Sequence, residues 1–101
     1  MMPTKTERKL ETAIVSALTR VCEAAKQRDI GFRWVTHTVD LRNVSNSLIV
    51  TCVFEDQQSL YLIHNQGIDT ELISSIQSEL SNINVLLNNP ERHVKFETEI
   101  N

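Results

Sequence analysis

The stretch "GFRWVTHTVDLRNVSNSLIVTCVF", residues 31–54, decides the fold. Both ends are rich in β-branched and aromatic residues, while "RNVSN" between them is polar and made of turn formers, the pattern of a β-hairpin with a slightly long loop. The strands are expected at about 32–41 and about 47–54. In the first, Phe32 and Trp34 share one phase and Val35, Val39 and Leu41 the other. That strand is therefore either buried on both faces or carries a bulge that switches phase around Thr36.

Ahead of the hairpin, Leu10, Ile14, Ala17, Leu18, Val21, Cys22 and Ala25 recur at threes and fours, which predicts one amphipathic helix over about 5–28. Thr4-Lys5-Thr6-Glu7 has the form of a capping box, and Gly31 punctuates the exit. After the hairpin, Asp56 as N-cap, Leu60 and Ile63 as buried positions and Gly67 as a stop predict a short helix over about 56–66. Asp69 is expected to cap another over about 70–82, where Leu72, Ile73, Ile76, Leu80 and Ile83 form the apolar stripe. Val85, Leu86 and Leu87 read as a small strand or a packed loop, and Asn88-Asn89-Pro90 as a turn.

The chain closes with "HVKFETEIN", a strand expected at about 92–100. Val94, Phe96, Thr98 and Ile100 share one face, with His93, Lys95, Glu97 and Glu99 on the other. One apolar and one charged face belong to a sheet covered on a single side. The reading is thus one α+β domain over residues 1–101 in the order α-β-β-α-α-β, with a mixed or antiparallel three-stranded sheet under helices on one face, KH-like in outline.

Composition narrows the function classes. Hydrophobic residues make up 41% and charged residues 23% of the 101, with two Gly and two Pro, as in an ordinary folded domain. No apolar run approaches a membrane span, and the opening pattern lacks a signal peptide's apolar core, so a cytoplasmic protein without membrane contact is expected. Cys22 and Cys52 lie far apart without a CxxC, which favours two buried, reduced thiols. Residues 1–31 hold six Lys or Arg against four acids, whereas residues 32–101 hold four against nine. A mildly basic first element on an acidic body is poorly equipped for duplex DNA.

The motifs for common chemistries are missing. His37, His64 and His93 share no metal-ligand spacing, and with Gly31 and Gly67 alone no phosphate or dinucleotide loop can be built. Neither a metal, a cofactor nor an enzymatic activity is expected. The most suggestive cluster is Trp34, Thr36, His37 and Asp40, yet strand alternation sets His37 opposite the phase of Asp40, so the two cannot act as a catalytic pair without a bulge, and a small enzyme using them is the last expectation. The face formed by Trp34, His37, Asp40, His93, Lys95 and Glu97 is instead the candidate for protein contact or self-association. If nucleic acid binds, Lys5, Arg8, Lys9, Arg20 and Lys26 on the first helix are the candidate phosphate contacts.

The run Gly31-Phe32-x-Trp34-x-Thr36-His37-x-Val39-Asp40, followed by Ser47-Leu48-x-Val50-x-Cys52-Val53-Phe54, resembles a family of small bacterial proteins of unknown function. Some of its members carry the label "Fis family transcriptional regulator", which implies DNA binding, although this chain ends in an acidic strand and offers no recognition helix. The element order also resembles type II KH domains and ribosome-binding factor A. Asn65-Gln66-Gly67 stands where that factor has an Ala-x-Gly kink and KH domains a Gly-x-x-Gly loop, and the resemblance implies association with RNA or the ribosome. A protein-contact module is the leading expectation, a KH-like RNA-associated factor the second and a DNA-binding regulator the third.

Overall fold

A computed structural model describes residues 4–99. The elements are α1 (Lys5–Lys26), β1 (Phe32–Thr38), α2 (Val44–Ser47), β2 (Ile49–Phe54), α3 (Gln57–Asn65), α4 (Ile68–Ser81), α5 (Pro90–His93) and β3 (Val94–Thr98). Apart from the single turns α2 and α5, the order is α-β-β-α-α-β. The sheet runs β1-β2-β3, with β1 antiparallel and β3 parallel to β2, so it is mixed. No helix among the described residues is long and apolar enough to cross a membrane.

The helix ends form as the local sequence dictates. At α1 the Glu7 amide donates to Thr4 Oγ1 (3.1 Å) and the Thr4 amide donates to Glu7 Oε1 (3.3 Å), closing the capping box. At α3, Asp56 Oδ1 accepts from the Ser59 amide (2.9 Å) and hydroxyl (3.0 Å). Helix α4 begins earlier than its acidic residues predict. Gly67, at φ +72°, is its N-cap, because the left-handed turn that ends α3 also starts α4.

Helices α1, α3 and α4 place Ile14, Ala17, Leu18, Ile63, Leu72, Ile76 and Leu80 over the inward residues of the sheet, Val50, Cys52, Phe54 and Val94. Each Val, Leu, Ile or Phe side chain buried there contributes about 1.5–3 kcal/mol. Val85 and Leu87 are buried in an irregular segment, so the stretch after α4 is a packed loop.

Three strand expectations change. The phase switch lies at Arg33 rather than Thr36: Phe32 pairs with Phe54 and Trp34 with Val53, leaving Arg33 as the extra residue of a bulge. Phe32 thereby keeps an edge-on contact with Phe54 (centroids 5.6 Å apart), while Trp34 turns to the opposite face. Strand β1 stops at Thr38 because Asp40 enters a turn in which its amide donates to Ser47 Oγ (2.8 Å) and the Arg42 amide donates to Asp40 Oδ1 (3.0 Å). Strand β3 starts at Val94, since Pro90 opens a helical turn over residues 90–93. The expected inward residue Ile100 lies outside the described residues.

Candidate functional site

Among the described residues, the sheet face opposite the helices carries no covering element. Its cross-strand rows follow from the register: Trp34, Val53 and Glu97 form one, Thr36, Thr51 and Lys95 the next, and Thr38 with Ile49 a third. Trp34 is 42% exposed. Val53 is only 8% exposed yet stands apart from the core cluster, so its cover comes from this face, where Trp34 is directly opposite.

The other candidates scatter. His37 has the inward phase and its Nε2 lies 3.2 Å from Glu11 Oε1 on α1. Asp40 belongs to the turn beyond β1, with Arg42 Nε 3.7 Å from its carboxylate. His93 was expected on the charged face; it is buried, with Nδ1 2.6 Å from the Leu48 carbonyl, because the turn of α5 carries it under the start of β2. Only Trp34, Lys95 and Glu97 of the expected set share one surface.

A feature absent from the sequence reading adjoins Trp34. Between α1 and β1 lies a hollow of about 210 Å³ bounded by Val15, Leu18, Thr19, Cys22, Trp34, Val35 and His37. Val15, 46% exposed, brings an apolar side chain from the helix to this hollow, as Trp34 does from the strand. The signal was present, since Val15 falls off the buried stripe of α1 and an apolar residue off the stripe of an amphipathic helix faces outward. Cys22 is only partly covered rather than buried, whereas Cys52 is fully buried; both are free thiols.

The cations of α1 do not form one patch. Arg20 Nε is held by Glu79 at 2.9 and 3.3 Å. Lys26 lies about 25 Å along the helix from Lys9, leaving Lys5, Arg8 and Lys9 as the one local group. At the turn between α3 and α4, His64 Nδ1 pairs with Asp69 Oδ2 (2.9 Å), and Asp69 and Glu71 fill the first turn of α4. Carboxylates there oppose a phosphate at the helix start.

A cleft of about 280 Å³ beside Gly31 and the start of α3 is acidic, with Asp29, Glu55 and Asp56 in its wall. Two of these serve the fold, since Asp56 caps α3 and Glu55 pairs with Arg33 (3.5 Å). No protein-family model, no curated protein and no solved structure matches the chain significantly.

Proposed function

We propose that this chain is a non-enzymatic interaction module that works through protein contacts made by the Trp34 side of its sheet. One observation carries the reading: the sole Trp of the chain is 42% exposed on a sheet face that no described element covers, beside the hollow where Val15 is also exposed. A large aromatic with neighbouring apolar surface and a polar surround is the composition of a protein-binding centre. Here Thr36, Thr51, Lys95 and Glu97 provide that surround. Contact with RNA is the weaker reading, because the α1 cations are dispersed and no aromatic platform accompanies them.

The test compares immobilised wild-type protein with Trp34→Ser in affinity capture from cell extract, with circular dichroism establishing equal folding. Loss of an anchoring Trp weakens binding by about 2 kcal/mol or more, roughly thirtyfold. Proteins retained by the wild type and lost from the variant are expected. Identical recovery by both overturns the reading.

A further inference from the structure

We propose that two copies of this chain join through β3, antiparallel about a two-fold axis at Phe96, into a continuous six-stranded sheet. The joint is the backbone edge of β3, whose Lys95 and Glu97 also border the Trp34 face; it is read by self-association, and the reading above by capture with Trp34→Ser, so the two fail separately.

Strand β3 is last in the sheet, and among the described residues no strand pairs with its outer edge. The Glu99 amide donates to the Phe54 carbonyl (2.8 Å) across the parallel ladder. Backbone direction alternates along a strand, so Lys95 and Glu97 direct their amides and carbonyls at β2, and Val94 and Phe96 direct theirs at the open edge. Phe96 can therefore exchange both bonds with its own symmetry copy.

The side chains fit the same register. A two-fold at Phe96 sets Lys95 of one protomer opposite Glu97 of its partner, and the reverse, at the closer non-hydrogen-bonded positions. Both are exposed. The strand is thus complementary in charge to itself, each dimer holding the pair twice. The next pair out, His93 with Glu99, contributes nothing, since His93 is bonded to Leu48 and Glu99 to Arg33 Nε at 3.1 Å. Strand β1 offers no such match: antiparallel self-pairing at Val35 sets Arg33 against His37.

On the inner face Phe96, only partly buried, meets its copy. Helix α3 lies against both β2 and β3. With strands about 4.8 Å apart, an α3 axis midway between β2 and β3 would lie about 10 Å from its copy, at the upper end of ordinary helix packing. Gln58, Leu62 and Gln66 face the cleft at Gly31, on the flank of α3 away from the β3 edge. An interface of one short strand and one helix flank is at the small end for specific complexes, so the dimer is concentration-dependent and weakened by salt.

The test is sedimentation equilibrium of the full chain at low and high ionic strength, with Lys95→Glu, Glu97→Lys and their equimolar mixture. The wild type is expected to dimerise, more tightly at low salt. Each single variant opposes like charges twice and is expected to associate at least about tenfold more weakly. Mixing them restores opposite charges in both pairs, so a heterodimer is expected. A monomeric wild type throughout, single variants as dimeric as the wild type, or a mixture that does not reassociate would each overturn the proposal.

Discussion

Gly31 and Gly67 both adopt positive φ, +76° and +72°, but their surroundings differ. A Cβ at Gly31 would lie 2.2 Å from Ser59 Oγ and 2.9 Å from Ser59 Cβ, whereas one at Gly67 meets nothing within 4 Å. Gly67→Ala carries backbone strain alone, about 1–2 kcal/mol. Gly31→Ala adds overpacking against α3 and is expected to cost about 3 kcal/mol or more, read from urea midpoints. In a double-mutant cycle with Ser59→Gly, a coupling of at least about 1 kcal/mol is expected, because the overlap disappears with the Ser59 side chain. Additive costs would show that strain at Gly31, not its packing, sets the penalty. Cys52 gives a second prediction at this scale. Burial, with Cys22 adding to it, pushes its thiol up to about 12. In the unfolded chain a thiol ionises near pH 8.5, so stability is undiminished below that value and falls as pH rises toward 12, by up to about 1.4 kcal/mol per unit. Cys52→Ala is expected to be less stable at neutral pH but to lose stability less steeply above pH 9 when unfolding is followed by urea titration. Equal slopes would mean that Cys52 does not hold its proton in the fold.

The elements legible from sequence were those whose causes are local. The three-and-four spacing of α1 and the Thr4–Glu7 box lie within the helix they start, and Asp56 is three residues from the amide it caps. The two strands of the hairpin were equally plain, and a one-sided sheet followed from the alternation of β3. What the sequence did not reveal depends on partners far along the chain. The bulge sits at Arg33 where its guanidinium reaches Glu99 (3.1 Å) and Glu55 (3.5 Å) while Phe32 stays against Phe54. His93 looked outward by alternation, but its partner is a carbonyl 45 residues away and the turn of α5 breaks the strand phase before it. Asp40 looked continuous with Trp34 until Ser47 drew it into a turn. The candidate face was legible through Trp34, Lys95 and Glu97, because β3 alternates regularly and Trp34 lies past the bulge, in phase with Thr36 and Thr38. The hollow at Val15 needed the docking of α1 on β1, which no local pattern specifies.

At the scale of the whole molecule, the sheet has two unlike edges. The edge at β1 runs beside the hollow under α1, whereas the edge at β3 is a self-complementary strand. Exposed edges invite uncontrolled pairing, and charges of alternating sign restrict which strand can add and in which register. Joining two copies through β3 removes that edge from both and leaves the Trp34 sides at the far ends of one sheet, available to partners on either side. Dimerisation of the folded chain must then appear in its thermal stability, because unfolding of a dimer releases two chains. Each tenfold rise in protein concentration above the dissociation constant stabilises the dimer by about 1.4 kcal/mol, or about 0.7 kcal/mol per chain. For a domain of this size that corresponds to about 3–5 °C in Tm. Scanning calorimetry of the wild type is expected to show this rise, and Lys95→Glu a Tm that stays constant over the same range. The substitution is on an exposed side chain, so the two proteins should converge in Tm at high dilution. A wild-type Tm that does not move with concentration would mean that the β3 edge stays single in solution and that its charges serve only to keep other strands away.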